Sequence, residues 1–390
     1  MIVKAFKYRL YPTSKQEKRL EETLTTCRFL YNNALAQRRN TYKEIQKSLS
    51  YADQCKHLSE NKDSYQVQVH SQVLQSTLKR LDQSFKNFFR RVKERKAGKK
   101  VKAGFPRFKP SHRFNSFTYP QSSFRLTNSQ DRLQLSKIGD VRLKNSRSVE
   151  GKIKTCTIIR DIDQWFVILT SEISLPKPAK SLNLTVGVDV GIKTLAVLSD
   201  GTEIENPRHT LKSEKKLSRE QRRLSRRDKG SANRDRQRIS VAKVHRKIRR
   251  QRDDYLHKLS NQLVRDYGCI IFEDLHIQGM LRNHKLAKHI SDCSWNKLIR
   301  YTQYKAESAG VEVILVNPRN TSQMCSGCGE VVPKMLSDRV HACPHCGLVM
   351  DRDLNASINI CTVGSTGTNA FGDSASTCKS KICGQAGSLN

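Results

Sequence analysis

No apolar run in this chain approaches the roughly 20 residues needed to cross a bilayer, so a helical membrane protein is excluded. The opening MIVKAFKYRLYP alternates apolar and basic side chains and lacks the unbroken apolar block of a signal peptide, which makes a soluble intracellular protein the expectation. A disulfide framework is missing as well. Cys27, Cys55, Cys156, Cys269, Cys293, Cys361, Cys378 and Cys383 are scattered along the chain, as suits a reducing compartment. Acids are scarce: 36 Asp and Glu face 72 Lys and Arg, for a formal charge of +36. A chain so charged repels itself unless a polyanion compensates it, so nucleic acid is the leading partner and an anionic membrane surface its competitor. No His-hydrophobic-His (HUH) pair and no well-placed tyrosine nucleophile appear, so strand transfer through a covalent tyrosine has no support. Internal repeats are absent apart from one pair of cysteine knuckles.

Those knuckles are the most informative stretch present. Residues 321–360 read TSQMCSGCGEVVPKMLSDRVHACPHCGLVMDRDLNASINI. Cys325/Cys328 and Cys343/Cys346 are two CxxC pairs separated by 14 residues. Each pair offers two thiolates from one tight turn, and two pairs close a tetrahedral cage around Zn²⁺ with sulfur about 2.3 Å from the metal. Gly327, Gly329 and Gly347 supply the permissive backbone such turns need. A four-sulfur site has no open position, so the zinc is structural, not catalytic. His341 and His345 are then spare, with His345 the minor alternative ligand. Almost at once the chain reaches Asp351 and Asp353, which suggests that the ribbon serves an acid.

The rest of the chain falls into segments. Residues 2–11 read as a strand stopped by Pro12. Thr13 caps a helix with Gln16 completing a capping box, and Leu20, Leu24, Cys27, Tyr31 and Leu35 give it one buried face past Tyr42. Residues 45–65 are polar and carry no clear period. A second long helix is expected over 66–96, ending in the basic segment RRVKERKAGKKVKAG. Strands at 124–126, 132–135, 140–143, 152–160 and 164–174 suggest a small β-barrel. Pro176 and Pro178 mark a linker. Strands follow at 184–190 and on both sides of an Asp200-Gly201 turn. Residues 212–252 hold 18 Lys and Arg against four acids in helix-compatible sequence broken at Lys229-Gly230-Ser231. A buried strand at 269–274, a helix at 294–309 and a strand at 311–316 lead to the cysteines, and a last helix starts at Asp353. The Ser, Thr and Gly-rich tail reads as disordered.

Three acids stand at element ends beside apolar runs: Asp189 in LTVGVDVG, Glu273 in CIIFED and Asp353 in DLNASINI. A lone acid there is ordinarily a cap or a solvated edge. Three of them, in this order of strands and helices, are expected to converge at one sheet edge. Such a cluster repels itself unless Mg²⁺ or Mn²⁺ neutralises it, and two ions about 3.5–4 Å apart can activate a water against a phosphodiester. Asp274 and Asp351 rank as accessory.

At this point GVDVGIKTLAVLSDG, FEDLHIQGM and the cysteine block through DRDLNASINI resemble the three RuvC motifs and zinc ribbon of the TnpB (OrfB) family of insertion sequences, related to the type V CRISPR effectors. The N-terminal KAFKYRLYPTSKQEKRLEETLTTCRFLYNNAL and GFPRFK look like that family too, so the resemblance covers nearly the whole chain. It implies an α/β RNase H-like (RuvC) core with an inserted zinc ribbon, a β-barrel wedge domain and an N-terminal helical recognition lobe. The corresponding divisions are 1–12 and 100–178 for the wedge, 13–99 for the lobe, 179–320 and 351–361 for the nuclease, 321–350 for the ribbon and 362–390 for the tail. It further implies Asp189, Glu273 and Asp353 as catalytic acids holding two Mg²⁺ or Mn²⁺ ions, a guide RNA, double-stranded target DNA and a monomer in a prokaryotic cytoplasm, on the nucleoid when bound to DNA. Ser357 departs from the more usual Ala. Two alternatives stay open: a guide-directed DNA-binding repressor that does not cut, and a transposase acting on transposon ends.

For the nucleic acid, Arg219, Arg222, Arg223 and Arg226 in the basic run are candidates for phosphate contact, against the ordinary reading of a solvated charged helix. Guide pairing would supply sequence and the protein would read a short flanking motif. Gln72, Gln75 and Lys79 share one face of the second helix, and Gln suits adenine edges. An exposed polar face explains them equally well. Phe117, Thr118 and Tyr119 are candidates for stacking or backbone contact, with packing inside the barrel as the equal alternative.

Overall fold

The N-terminal alternation folds as strand β1, Ile2–Tyr11, with Phe6, Tyr8 and Leu10 turned into the core. Thr13 then caps α1, Ser14–Ile45, and its reciprocal box with Gln16 is formed as expected. Leu20, Leu24, Cys27, Tyr31 and Leu35 are all buried along α1, each such apolar side chain contributing at most about 1.5–3 kcal/mol. The polar stretch that follows holds α2, Tyr51–Glu60, opened by a Ser50/Asp53 capping box, and the single turn α3, Ser64–Val67. Helix α4, Ser71–Lys96, starts later than the expected residue 66 because His70 caps it. It packs on α1 and α2 through Val73, Leu74, Leu78 and Leu81.

Residues 2–174, 184–335 and 338–366 are described by the computed structural model, which divides into two units, Met1–Leu175 and Pro176–Asn390. In the first unit, β1 joins six further strands: β2 Ser116–Tyr119, β3 Phe124–Leu126, β4 Arg132–Leu135, β5 Gly139–Leu143, β6 Lys152–Asp161 and β7 Gln164–Ile173. The sheet order is β2-β6-β7-β1-β5-β4-β3, antiparallel at every step. Strands β2 and β3 are its outer members, and no pairing between them closes the sheet among the described residues. The linker expected at Pro176 and Pro178 lies outside the described residues.

The second unit is built on a five-stranded sheet. Its strands are β8 Thr185–Val190, β9 Thr194–Leu198, β10 Glu203–Glu205, β11 Cys269–Glu273 and β12 Glu312–Val316, in the order β10-β9-β8-β11-β12. Strands β8, β11 and β12 run parallel, while β9 and β10 are antiparallel neighbours. Between β10 and β11 the chain makes α5, His209–Ser225, and α6, Ala232–Asp266, packed on each other. Gly230 turns between them with φ +89°, where the basic run was expected to break. Then come α7 Ile277–Met280, α8 Ala287–Cys293 and α9 Trp295–Ala309. Val186, Val188, Ile270 and Phe272 face α6 and α9 in one core. A small ribbon, β13 Val340–Ala342 with β14 Val349–Asp351, precedes α10, Arg352–Thr366.

Helix α10 covers the other sheet face with Ile360, Val363 and Ile271 in a second core. It runs through Thr366, so residues 362–366 are helical and not part of the expected tail; Val363 is buried and Gly364 lies against Ile271, which keeps the last turn on the sheet. Residues 367–390 of that tail lie outside the described residues.

Candidate metal centre

Parallel pairing fixes where two of the acids lie. The register matches Phe272 with Val188, so the next residues, Glu273 and Asp189, stand side by side at the carboxyl ends of β11 and β8, where strands are about 4.8 Å apart. Side chains alternate along a strand. Asp189 therefore shares a face with Gly187, and Glu273 with Ile271. Both are on the α10 side: a Cβ on Gly187 would come within 2.1 Å of the Ser357 carbonyl, and Ile271 packs on Gly364. Along α10, Asp353, Ser357 and Cys361 recur at four-residue steps, so Asp353 is one turn beyond the crossing at Gly187, toward Asp189. Asp189 thus has Glu273 and Asp353 as electrostatic neighbours, although the three carboxylates do not form a cluster with ligand atoms within 4.8 Å of one another among the described residues.

Their electrostatics agree with that placement. Burial first, then the charges of Glu273 and Asp353, push the Asp189 carboxyl up to about 8, against the pull of Arg352. Burial also raises Glu273, which is 7 % exposed, and the Thr321 hydroxyl it accepts from offsets this in part. Asp353 accepts from the Arg352 Nε and Nη2 at 3.0 and 2.9 Å and has Arg339 at 3.8 Å. It also lies in the first turn of α10, where the helix dipole favours a carboxylate. Asp351 accepts from the backbone N–H of Asp353 at 2.7 Å and of Leu354 at 3.1 Å, so its task is the helix cap. Asp274 is exposed. Three oxygen-donor groups with too little positive charge among them fit a hard divalent cation such as Mg²⁺.

The four cysteines form a second centre. Their sulfurs all lie within 4.8 Å of one another, with Cys325 to Cys346 and Cys328 to Cys343 both at 3.6 Å. The two turns match: Gly329 N–H bonds the Cys325 carbonyl at 2.9 Å with φ +81°, and Gly347 N–H bonds Cys343 at 3.0 Å with φ +75°. Four soft thiolates at that spacing suit a structural Zn²⁺. His345 is exposed and outside the cluster, while His341 is buried beside Lys334.

Sequence reading missed the residues that couple the two centres. On α10, Asn355 donates to the Met324 carbonyl at 2.7 Å and accepts from Ser326 N–H at 2.9 Å. Asn359 donates to Thr321 and Met324 carbonyls at 2.9 and 2.7 Å. These buried amides clamp the strap 321–326, which enters the first knuckle, to the helix that carries Asp353. The strap's Thr321 in turn donates to Glu273. Two asparagines four apart, on the face of the helix that carries Ile360 and Val363, were the available signal.

The expected nucleic-acid contacts divide. Gln75 and Lys79 are exposed on α4, whereas the side-chain Oε1 of Gln72 accepts from the Ser123 hydroxyl at 2.6 Å. Phe117 is a correction: it is 3 % exposed and packs edge-on to Tyr119, itself buried, because β2 turns both rings into the core. Neither ring has a face free for a base. The Thr118 hydroxyl pairs with Thr157 at 2.9 Å across β2 and β6. Arg219 and Arg223 flank the buried Glu220 at 3.6 and 3.3 Å, while Arg222 and Arg226 are exposed.

A family model described as "Probable transposase" (OrfB_IS605) matches residues 167–284, one described as "Cas12f1-like, TNB domain" matches 295–360, and a "Helix-turn-helix domain" of the OrfB_IS605 group matches 1–47. The last description does not fit the observed β1 and single helix α1. A protein of Streptomyces pristinaespiralis, named as a candidate RNA-guided DNA endonuclease, is 36% identical over 95% of this chain and 92% of its own length. InsQ of Escherichia coli K12, named in the same way, is 32% identical over 93% and 92%. The solved mini-RNA-guided endonuclease CRISPR-Cas_phi3 shares the fold at 10% identity, with a TM-score of 0.51 over 93% of this chain and 92% of that one.

Proposed function

The chain belongs to the OrfB (TnpB) family, related to the type V effectors, and from that premise we propose that it is an RNA-guided DNA endonuclease using Asp189, Glu273 and Asp353. One observation supports the reading: Asp189 and Glu273 stand side by side at the carboxyl ends of β8 and β11, and Asp353 on α10 is near enough that burial first, then the charges of the other two acids, lift Asp189 to about 8. Carboxylates gathered against their own repulsion, in a chain of +36, have a cation as their natural complement. The names of the Streptomyces and Escherichia relatives supply the substrate class.

Asp189, Glu273 and Asp353 would hold Mg²⁺ or Mn²⁺, two ions in the finer form of the proposal, which supply Lewis acidity and a water of lowered pKa when bound. Thr321 fixes the Glu273 carboxylate, and the N-terminal turn of α10 with Arg352 fixes Asp353. The four cysteines would hold one structural zinc that keeps the strap and α10 in register. Arg222 and Arg226, with the rest of α5 and α6, would take phosphates of the guide RNA or its duplex with target DNA, and Gln75 and Lys79 a flanking DNA motif. The sheet of the first unit is read as the wedge domain and α1–α4 as the recognition lobe.

Asp189→Ala should abolish guide-dependent plasmid cleavage while leaving guide-dependent DNA binding within about twofold. Loss of both together would sink the assignment of Asp189 to chemistry. Cleavage that proceeds without RNA would favour a transposase acting directly on DNA ends.

A further inference from the structure

Toward the C-terminal end of α4 the first unit exposes Phe89, Phe105 and Phe108, beyond Phe85, which packs on its core. Phe105 meets Phe85 edge-on at 5.4 Å and 90°, and Phe88 at 5.3 Å and 76°, while Phe89 lies 5.2 Å from Phe88. Phe89, Phe105 and Phe108 nevertheless remain 54, 45 and 47 % exposed. The segment that brings Phe105 to α4 and Phe108 beside Arg39 of α1 has no regular structure, yet it is held. Asn32 of α1 accepts from Lys109 N–H at 2.8 Å and donates to its carbonyl at 3.1 Å. Arg39 lies over the Phe108 ring at 5.5 Å. The rings are therefore a fixed platform.

Charge says what covers it. From Phe85 to Phe108 the sequence holds ten Lys and Arg and one acid, Glu94, which Arg90 pairs at 2.8 Å. Flat apolar faces among cations match a ligand that alternates flat apolar groups with anions. That is the pattern of unpaired nucleotides, bases stacking on rings and phosphates on cations. A duplex hides its base faces and would not use the phenyls. Exposed apolar patches are a liability unless covered for most of a protein's life, which favours a resident strand over one that visits.

We propose that Phe89, Phe105 and Phe108, with the basic end of α4, bind unpaired nucleotides of the resident RNA, a site that rests on the RNA-guided reading above. Two bases stack on Phe89 and Phe105, and Arg91 with its basic neighbours carries the adjoining phosphates.

Full-length protein is expressed in cells fed 4-thiouridine, irradiated, and its RNA-adducted peptides are mapped by mass spectrometry. Adducts within residues 85–108 are expected. The Phe89→Ser/Phe105→Ser double variant, at exposed positions, should bind the co-purified RNA at least about tenfold more weakly with an unchanged salt slope. Arg91→Gln with Lys93→Gln should lower that slope by about 1.4. RNA recovered with adducts only elsewhere, or a double variant of unchanged affinity, overturns the site even if guided cleavage stands. So does phenyl-dependent binding to phosphatidylserine vesicles without RNA adducts, which would make the patch a lipid surface. Recovery of no RNA from the wild-type chain would overturn the guided reading and this site together.

Discussion

Asn355 is a single buried amide that serves both a carbonyl and an N–H of the strap at residues 324 and 326. Replacing it with leucine keeps the volume and removes both hydrogen bonds. Ser326 N–H then loses its partner in a part-buried position and Met324 keeps only Asn359, at about 1–3 kcal/mol for the orphaned group. Asn355→Leu should lower the unfolding midpoint and reduce cleavage with it, read by calorimetry and plasmid nicking on the same preparation. Lys305 offers a pH test away from the acids. Its ammonium donates to the His257 carbonyl and the Ser260 hydroxyl at 2.7 Å each, but burial lowers its pKa from 10.5 to about 8. The folded chain thus binds this proton more weakly than the unfolded chain. Below about pH 8 both states carry the proton and the full penalty applies; as pH rises from about 8 to 10.5 the penalty disappears. This group therefore makes stability rise through that window. Lys305→Met should lose the rise, as seen in the difference between wild-type and variant denaturation midpoints near neutral pH and near pH 10.

At the scale of elements, α10 crosses β8 with no room for a side chain at Gly187. The Cβ of Gly187→Ala would sit 2.1 Å from the Ser357 carbonyl and 2.5 Å from the Cys361 N, both backbone atoms that cannot swing aside. The helix must lift, at about 1–3 kcal/mol or more, and Asp353 lifts with it. Gly187→Ala should therefore lose cleavage out of proportion to its drop in thermal stability; equal, small losses in both would say that α10 does not set the position of the acid. The sequence could not have told this glycine from any other, because its reason lies in a helix 170 residues downstream. What was legible follows the same logic. Strands β1, β3, β4 and β11 announced themselves through local alternation or apolar runs, and the capping box at Thr13 through a spacing of three. The three acids drew notice because Asp189 and Glu273 fall at the ends of apolar strands and Asp353 opens a helix, so local pattern and chemistry coincided. Phe117 was ambiguous because an aromatic residue in a short strand suits a core and a stacking face equally, and only the side to which β2 turns decides. The start of α4 at Ser71 and the whole of α2 turn on caps within polar sequence, where no apolar period helps.

Across the second unit, one chain of contacts links the thiolate cage to the acids. The first knuckle continues into the strap 321–326. The strap reaches Glu273 through Thr321 and Asp353 through the amides of α10. A structural zinc in that cage would then bear on the proposed chemistry, because it would fix the end of the strap that contacts Glu273 and the helix carrying Asp353. Binding of structural Zn²⁺ is worth about 10–16 kcal/mol, far more than the clamp's hydrogen bonds could replace. Cys328 is exposed, so Cys328→Ser removes a ligand without opening a cavity in the core. The variant should lose bound zinc, become sensitive to protease between residues 321 and 350, and lose cleavage by at least about a hundredfold. The first unit, which shares no part of this network, should keep its fold, and RNA affinity should change little. Zinc content by elemental analysis, protease mapping, plasmid cleavage and RNA affinity measured on one preparation test the whole chain of dependence. A zinc-free variant that still cuts at the wild-type rate would show that β8, β11 and α10 orient the three carboxylates without the ribbon.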